Sequence, residues 1–142
     1  MEVQAWGTGV FDNRDATDWL EDLIDTEDLQ AIMLALGNVV ELAGTEELDS
    51  IDCCIALAAA EVVAAAGGKP SKEMTMPAKR FLKRMNLGVA RPVQELALKA
   101  LDNVRTQGSL LKHWKQANLL TEWLGVLESL EERLNTCDVV DA

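Results

Sequence analysis

Apolar residues recur along this chain at spacings of three and four, the period of helices buried on one face. Ala16, Trp19, Leu20 and Leu23 make the first such stripe. It predicts a helix from about Asn13 to Ile24, with Asp12 or Asn13 as N-cap and Asp15 in the first turn, where the helix dipole favours an anion. A second helix is expected from about Glu27 to Ala43, capped by Thr26 and stopped near Gly44. Its face is Leu29, Ile32, Met33, Leu36, Val39, Val40 and Ala43. Gly37, inside it, costs about 1 kcal/mol relative to Ala, and predicts a close helix contact there. The third stretch, about Leu48 to Ala66, is apolar nearly all round and reads as a central helix. Gly67 and Gly68 end it. A short helix follows from about Ala78 to Met85, after Pro77. Another runs from near Pro92 to Gln107-Gly108 on Val93, Leu96, Ala97, Ala100, Leu101 and Val104. Leu110, Leu111 and Trp114 lie on a turn or short helix. The last helix, about Asn118 to Leu134, carries Leu120, Trp123, Leu124, Leu127, Leu130 and Leu134.

No run of four or more residues alternates with period two, and Tyr is absent. The expected fold is all-α: a single domain over 1–142, a compact helical bundle of about six helices. Residues 1–11 form a short extended N-terminal turn segment packed on the bundle. Residues 135–142 are expected to fray.

Composition narrows the function. The chain of 142 residues is 49% apolar and carries a formal charge of −11. That excess of acid argues against nucleic acid and against anionic membranes as partners, and favours a basic protein. The charge is uneven. Residues 1–68 carry 15 acids and one base, residues 69–115 carry 11 bases and three acids, and residues 116–142 carry six acids and one base. A basic middle between acidic ends either pairs inside the fold or leaves an acidic face open to a partner. The cluster Lys79, Arg80, Lys83 and Arg84 reads as a solvated helix face. The first twenty residues hold four acids and no basic n-region, unlike a secretory signal. Cys53, Cys54 and Cys137 have no framework spacing, which points to a reducing compartment, and a cytoplasmic location is expected. With no CxxC and His113 as the lone histidine, neither metal nor cofactor is expected.

The candidate chemistry is sparse. Gly7-x-Gly9 lacks the strand, third glycine and lysine of a phosphate loop, and reads as a structural turn. Asp15, Asp18, Asp22 and Asp25 recur at helical spacing. They suit a solvated or partner-binding face better than a metal cage or an acid–base pair, both of which need convergence. Glu61 interrupts the apolar third helix, where an unpaired charge is costly, so it needs donors. Those are expected from backbone N–H groups between Trp6 and Phe11, from the Trp6 indole, or from an Arg such as Arg91. Trp6, Gly7, Gly9, Asp12, Asn13 and Glu61 then form a latch that holds the N-terminus to the bundle. His113 has no nucleophile beside it in any known motif and reads as a surface or capping residue. No catalytic residue is assigned.

The run Ala5-Trp6-Gly7-Thr8-Gly9, then Phe11-Asp12-Asn13 and Asp18-Trp19-Leu20, resembles the opening of the bacterial family called domain of unknown function 4259. Ala59-Ala60-Glu61-Val62-Val63-Ala64-Ala65 is similar to its central helix. The resemblance implies a small α-rich protein and brings no activity or catalytic residue with it. It links the N-terminal turn, Asp12, Asn13 and Glu61 as one structural feature. Val10 stands where members often have Pro, and the acidic stretch Glu21 to Asp28 is longer than usual.

The function expected is a non-enzymatic acidic binding protein, in its sharper form an immunity-like inhibitor of a basic toxin or nuclease. Two alternatives stay open. One is a structural or regulatory homo-oligomer joined through apolar helix faces. The other is an enzyme with a site built from scattered carboxylates and His113.

Overall fold

Capping side chains, those of Asn13, Asp49 and Thr75, set the starts of three helices. A computed structural model of the chain describes residues 5–44 and 48–140. The first part of the expected N-terminal segment and the last two residues of the expected tail lie outside the described residues. Helix α1 spans Arg14–Thr26, and the Asn13 side chain accepts the Ala16 N–H at 2.8 Å to start it. Helix α2 spans Gln30–Leu42 and α3 spans Ser50–Ala66, the latter capped by Asp49, whose side chain accepts from Ile51 N–H at 2.8 Å. Helix α4 (Met76–Met85) is capped by Thr75 with Pro77 in its first turn. Helices α5 (Arg91–Thr106), α6 (Ser109–Gln116) and α7 (Leu120–Thr136) complete an all-α bundle. The described residues thus hold seven helices. The segment around Leu110 and Trp114, expected as a turn or short helix, is a full helix of eight residues.

Helix α3 sits in the middle, packed by α1, α2, α5, α6 and α7, with a smaller contact to α4. Its alanines make this arrangement: Ala56, Ala58, Ala59, Ala60 and Ala64 are all buried, and small side chains let several helices approach one axis. Leu36 and Val39 of α2, Leu101 and Val104 of α5, and Leu127, Leu130 and Leu134 of α7 close the core around it. No helix among the described residues is long and apolar enough to cross a membrane.

Four local expectations change. Helix α2 starts at Gln30 because Glu27 takes a left-handed conformation and ends α1. Asp28 then supplies the acceptor for the Gln30 N–H at 3.1 Å. Met33, expected on the buried face, is exposed, and Ala35 is buried in its place. At Gly37 no described atom lies within 4 Å of where a Cβ would be, so the close helix contact expected there is absent. The tail expected to fray is tied down as far as Val140. Asp138 N–H donates to Gly67 O at 2.8 Å and Val140 N–H donates to Val89 O at 2.8 Å.

Cys53, Cys54 and Cys137 are free and buried. Burial, reinforced by nearby aspartates, pushes the Cys53 and Cys54 thiols up from 9.0 to about 12. Above pH 9 the unfolded chain loses these protons while the folded chain keeps them. Stability is therefore expected to fall as pH rises from 9 towards 12. A Cys53→Ala/Cys54→Ala chain should show a shallower fall over the same interval in pH-dependent urea denaturation; an identical slope would contradict the assignment.

Candidate functional site

The N-terminal turn is built around Asp12. Trp6 N–H donates to Asp12 O at 2.9 Å, and Asp12 N–H donates to Gly9 O at 3.0 Å. The Asp12 carboxylate folds back to accept the Gly9 N–H at 3.0 Å. That fold-back needs the two glycines. A Cβ on Gly7 would lie 2.5 Å from Asp12 Oδ2, and one on Gly9 would lie 2.7 Å from both Asp12 Oδ2 and Glu73 Oε2. Ala5 pairs with Asn13 in an isolated antiparallel bridge. Trp6 is 68% exposed, so its backbone joins the turn while its ring faces outward.

Asn13 locks this turn to α1. Its buried side chain donates to Val10 O at 3.0 Å and accepts from Ala16 N–H. Replacing Asn13 by Ala removes the cap and leaves Val10 O without that donor, at an expected cost of about 1–2 kcal/mol. Chemical denaturation followed by Trp fluorescence reads this directly, and a change under about 0.3 kcal/mol would contradict it.

Glu61 is 2% exposed and meets Arg133 of α7 head-on. Arg133 Nη1 donates to Oε1 at 2.6 Å and Nη2 to Oε2 at 3.0 Å. Nη1 also reaches Lys69 O, and Nε reaches Ser129 Oγ, each at 3.4 Å. One guanidinium thus ties α3, α7 and the loop after Gly68 together. The donors expected from the sequence were the turn N–H groups, the Trp6 indole or Arg91; the observed donor is Arg133. Nothing local in the sequence singles Arg133 out, since it lies 72 residues from Glu61.

The turn and the ion pair nevertheless face one cleft of about 380 Å³. Gly9, Val10 and Phe11 of the turn line it together with Glu61, Arg133, Lys72 and Glu73. Both carboxylate oxygens of Glu61 are engaged by Arg133, so the pair holds helices together.

The aspartates of α1 are arranged differently. Asp18, Asp22 and Asp25 are exposed and Asp15 is half-buried, its charge felt by the Cys54 thiol. Asp18 pairs with Arg14 on the same helix at 3.4 Å. Asp22 and Asp25 have no ion pair among the described residues. The basic α4 does lie beside α1, and Arg84 Nη2 meets Glu27 Oε2 at 3.0 Å. That contact is at the C-terminal end of α1. Exposed pairs of this kind contribute about 0–1 kcal/mol. The acidic and basic segments therefore meet at the C-terminal end of α1 and again where Arg105 of α5 donates to Glu131 of α7 at 2.5 Å, while the outer face of α1 stays acidic. His113 packs edge-on against Trp114 with ring centroids 4.7 Å apart.

No curated protein and no solved structure matches the chain. A family profile does, over residues 4–125, a span that runs from the N-terminal turn into α7. By that match the chain belongs to the family described as a domain of unknown function, DUF4259.

Proposed function

We propose that this is a non-enzymatic, cytoplasmic bacterial protein that captures a basic protein on the outer face of α1. Its sharper form is an immunity-like inhibitor that covers a basic toxin or nuclease. The observation that carries the reading is the state of Asp22 and Asp25, exposed and without an ion pair among the described residues. Glu21 and Asp28 are exposed on the same helix and just after it. Like charges held together on a rigid helix repel one another in the free protein and are relieved by a basic partner. Such a field also speeds encounter with an oppositely charged surface. The bidentate capture of Glu61 by Arg133 supports a structural role for the buried carboxylate rather than acid–base chemistry. A homo-oligomer is the second reading, favoured by Met33 and Leu34, which stand exposed on α2. Light scattering at high concentration separates it from the first.

The test compares the chain with an Asp22→Lys/Asp25→Lys variant in pull-downs from the native host's lysate at low and high salt. Both positions are exposed, so the fold should tolerate the change to within about 0.5 kcal/mol. The expected result is a basic protein held by the unaltered chain at low salt, weakened by salt and reduced about tenfold or more by the variant. The same proteins held equally by both would overturn the proposal.

A further inference from the structure

We propose that the groove between α1, α2 and α3 seats a basic amphipathic helix of the partner, an inference that rests on the acidic-face reading above. The groove has a volume of about 430 Å³. It is lined by Trp19 of α1, by Ala31, Leu34, Ala35 and Asn38 of α2, and by Ile55 of α3. The α2 residues fall at i, i+3, i+4 and i+7, so one continuous stripe of that helix faces the groove. Leu34 is 70% exposed and Met33 beside it 43% exposed, leaving apolar surface open at the groove's edge.

The charges around this groove specify the occupant. Asp15 and Asp22 lie one turn either side of Trp19 on α1, at i−4 and i+3. Asp52 of α3 lines the groove itself. Glu41 is exposed one turn beyond Asn38 on α2. No base is among the described lining residues. An apolar slot with an acidic rim matches an apolar helical stripe bordered by Lys and Arg, the helix-in-groove mode of recognition. The stretch of α2 that lines the groove, Ala31 to Asn38, is about 10 Å long, room for about two helical turns. A second copy fits less well. The chain's own basic amphipathic helix, α4, already buries Ala78 and Phe81 in its own core.

The probe is an amphipathic Leu/Lys peptide of about 18 residues with helical period, labelled for fluorescence anisotropy. A peptide of the same composition in period-two order is the control. Leu34→Glu is the informative variant, because it places an acid on an exposed position and spares the core. Charge alone would then strengthen binding of a basic peptide. The expected results are binding of the helical peptide about tenfold or more tighter than the control, and a loss of about tenfold or more in Leu34→Glu. If Leu34→Glu binds as well as the unaltered chain while Asp22→Lys/Asp25→Lys binds weakly, the groove is refuted and the acidic face stands. If neither variant changes binding, both are refuted.

Discussion

Replacing Arg133 by Met is expected to cost about 3–5 kcal/mol of stability, the largest effect of any single change considered. The cause is what remains. Glu61 stays on α3 with a side chain 3% exposed, and both oxygens lose their donors. A lone carboxylate there must keep an uncompensated charge or bind a proton, and either choice costs free energy. Since a domain of this size is stable by only about 5–15 kcal/mol, the variant should unfold at markedly lower urea. The converse change sharpens the argument. A Glu61→Leu/Arg133→Met double variant removes both charges and keeps the volume, so it should recover most of the loss. Urea denaturation followed by Trp fluorescence compares the three chains. A loss below about 1 kcal/mol in Arg133→Met would mean that the pair behaves as an exposed one.

The second large effect is expected at Gly108, between α5 and α6. Its φ is +102° and its ψ is 179°, a combination open to glycine and strained for any other residue. It also lies against the backbone that leads into α3. A Cβ would meet Leu48 Cβ at 2.9 Å and Leu48 O at 3.0 Å. The neighbours have little freedom to move, because Ser109 N–H donates to Leu48 O at 2.9 Å and Leu48 is fully buried. Gly108→Ala should therefore cost about 2–4 kcal/mol, from backbone strain and steric overlap together. Gly44→Ala is the control. Gly44 also has positive φ, at +78°, yet has no described atom within 4 Å of its Cβ position. It should show the smaller strain cost of about 1–2 kcal/mol alone. Equal losses at the two sites would mean that the Leu48 contact contributes nothing.

The helices of this fold were legible because their signals are local. Ala16, Leu20 and Leu23 fix the phase of α1, and that phase puts Asp18 and Asp22 outward without any tertiary information. Asp15, expected on the same outward stripe, is instead half-buried near Cys54. Where apolar residues run together, phase is lost. Ile32-Met33-Leu34-Ala35-Leu36 offers five consecutive apolar positions, and only packing decides that Met33 and Leu34 face out while Ala35 faces in. The same ambiguity hid the groove beside Trp19. Glu61's need for a donor was legible from the cost of a buried charge. Its partner was not, because Arg133 stands 72 residues away and only the crossing of α3 and α7 brings them together. The tethered tail was hidden for a different reason. Asp138 and Val140 are held by backbone groups of Gly67 and Val89, and backbone hydrogen bonding of this kind has no side-chain signature.

The central claim, that α1 presents the recognition face, is tested most directly by site-specific photo-crosslinking in the native host. A photoreactive amino acid is placed at Asp25 on the acidic face, and in a second chain at Lys83 on the exposed side of α4. The account predicts a covalent adduct to one basic protein from position 25 and none from position 83. An adduct formed only from position 83, or none from position 25, would contradict it.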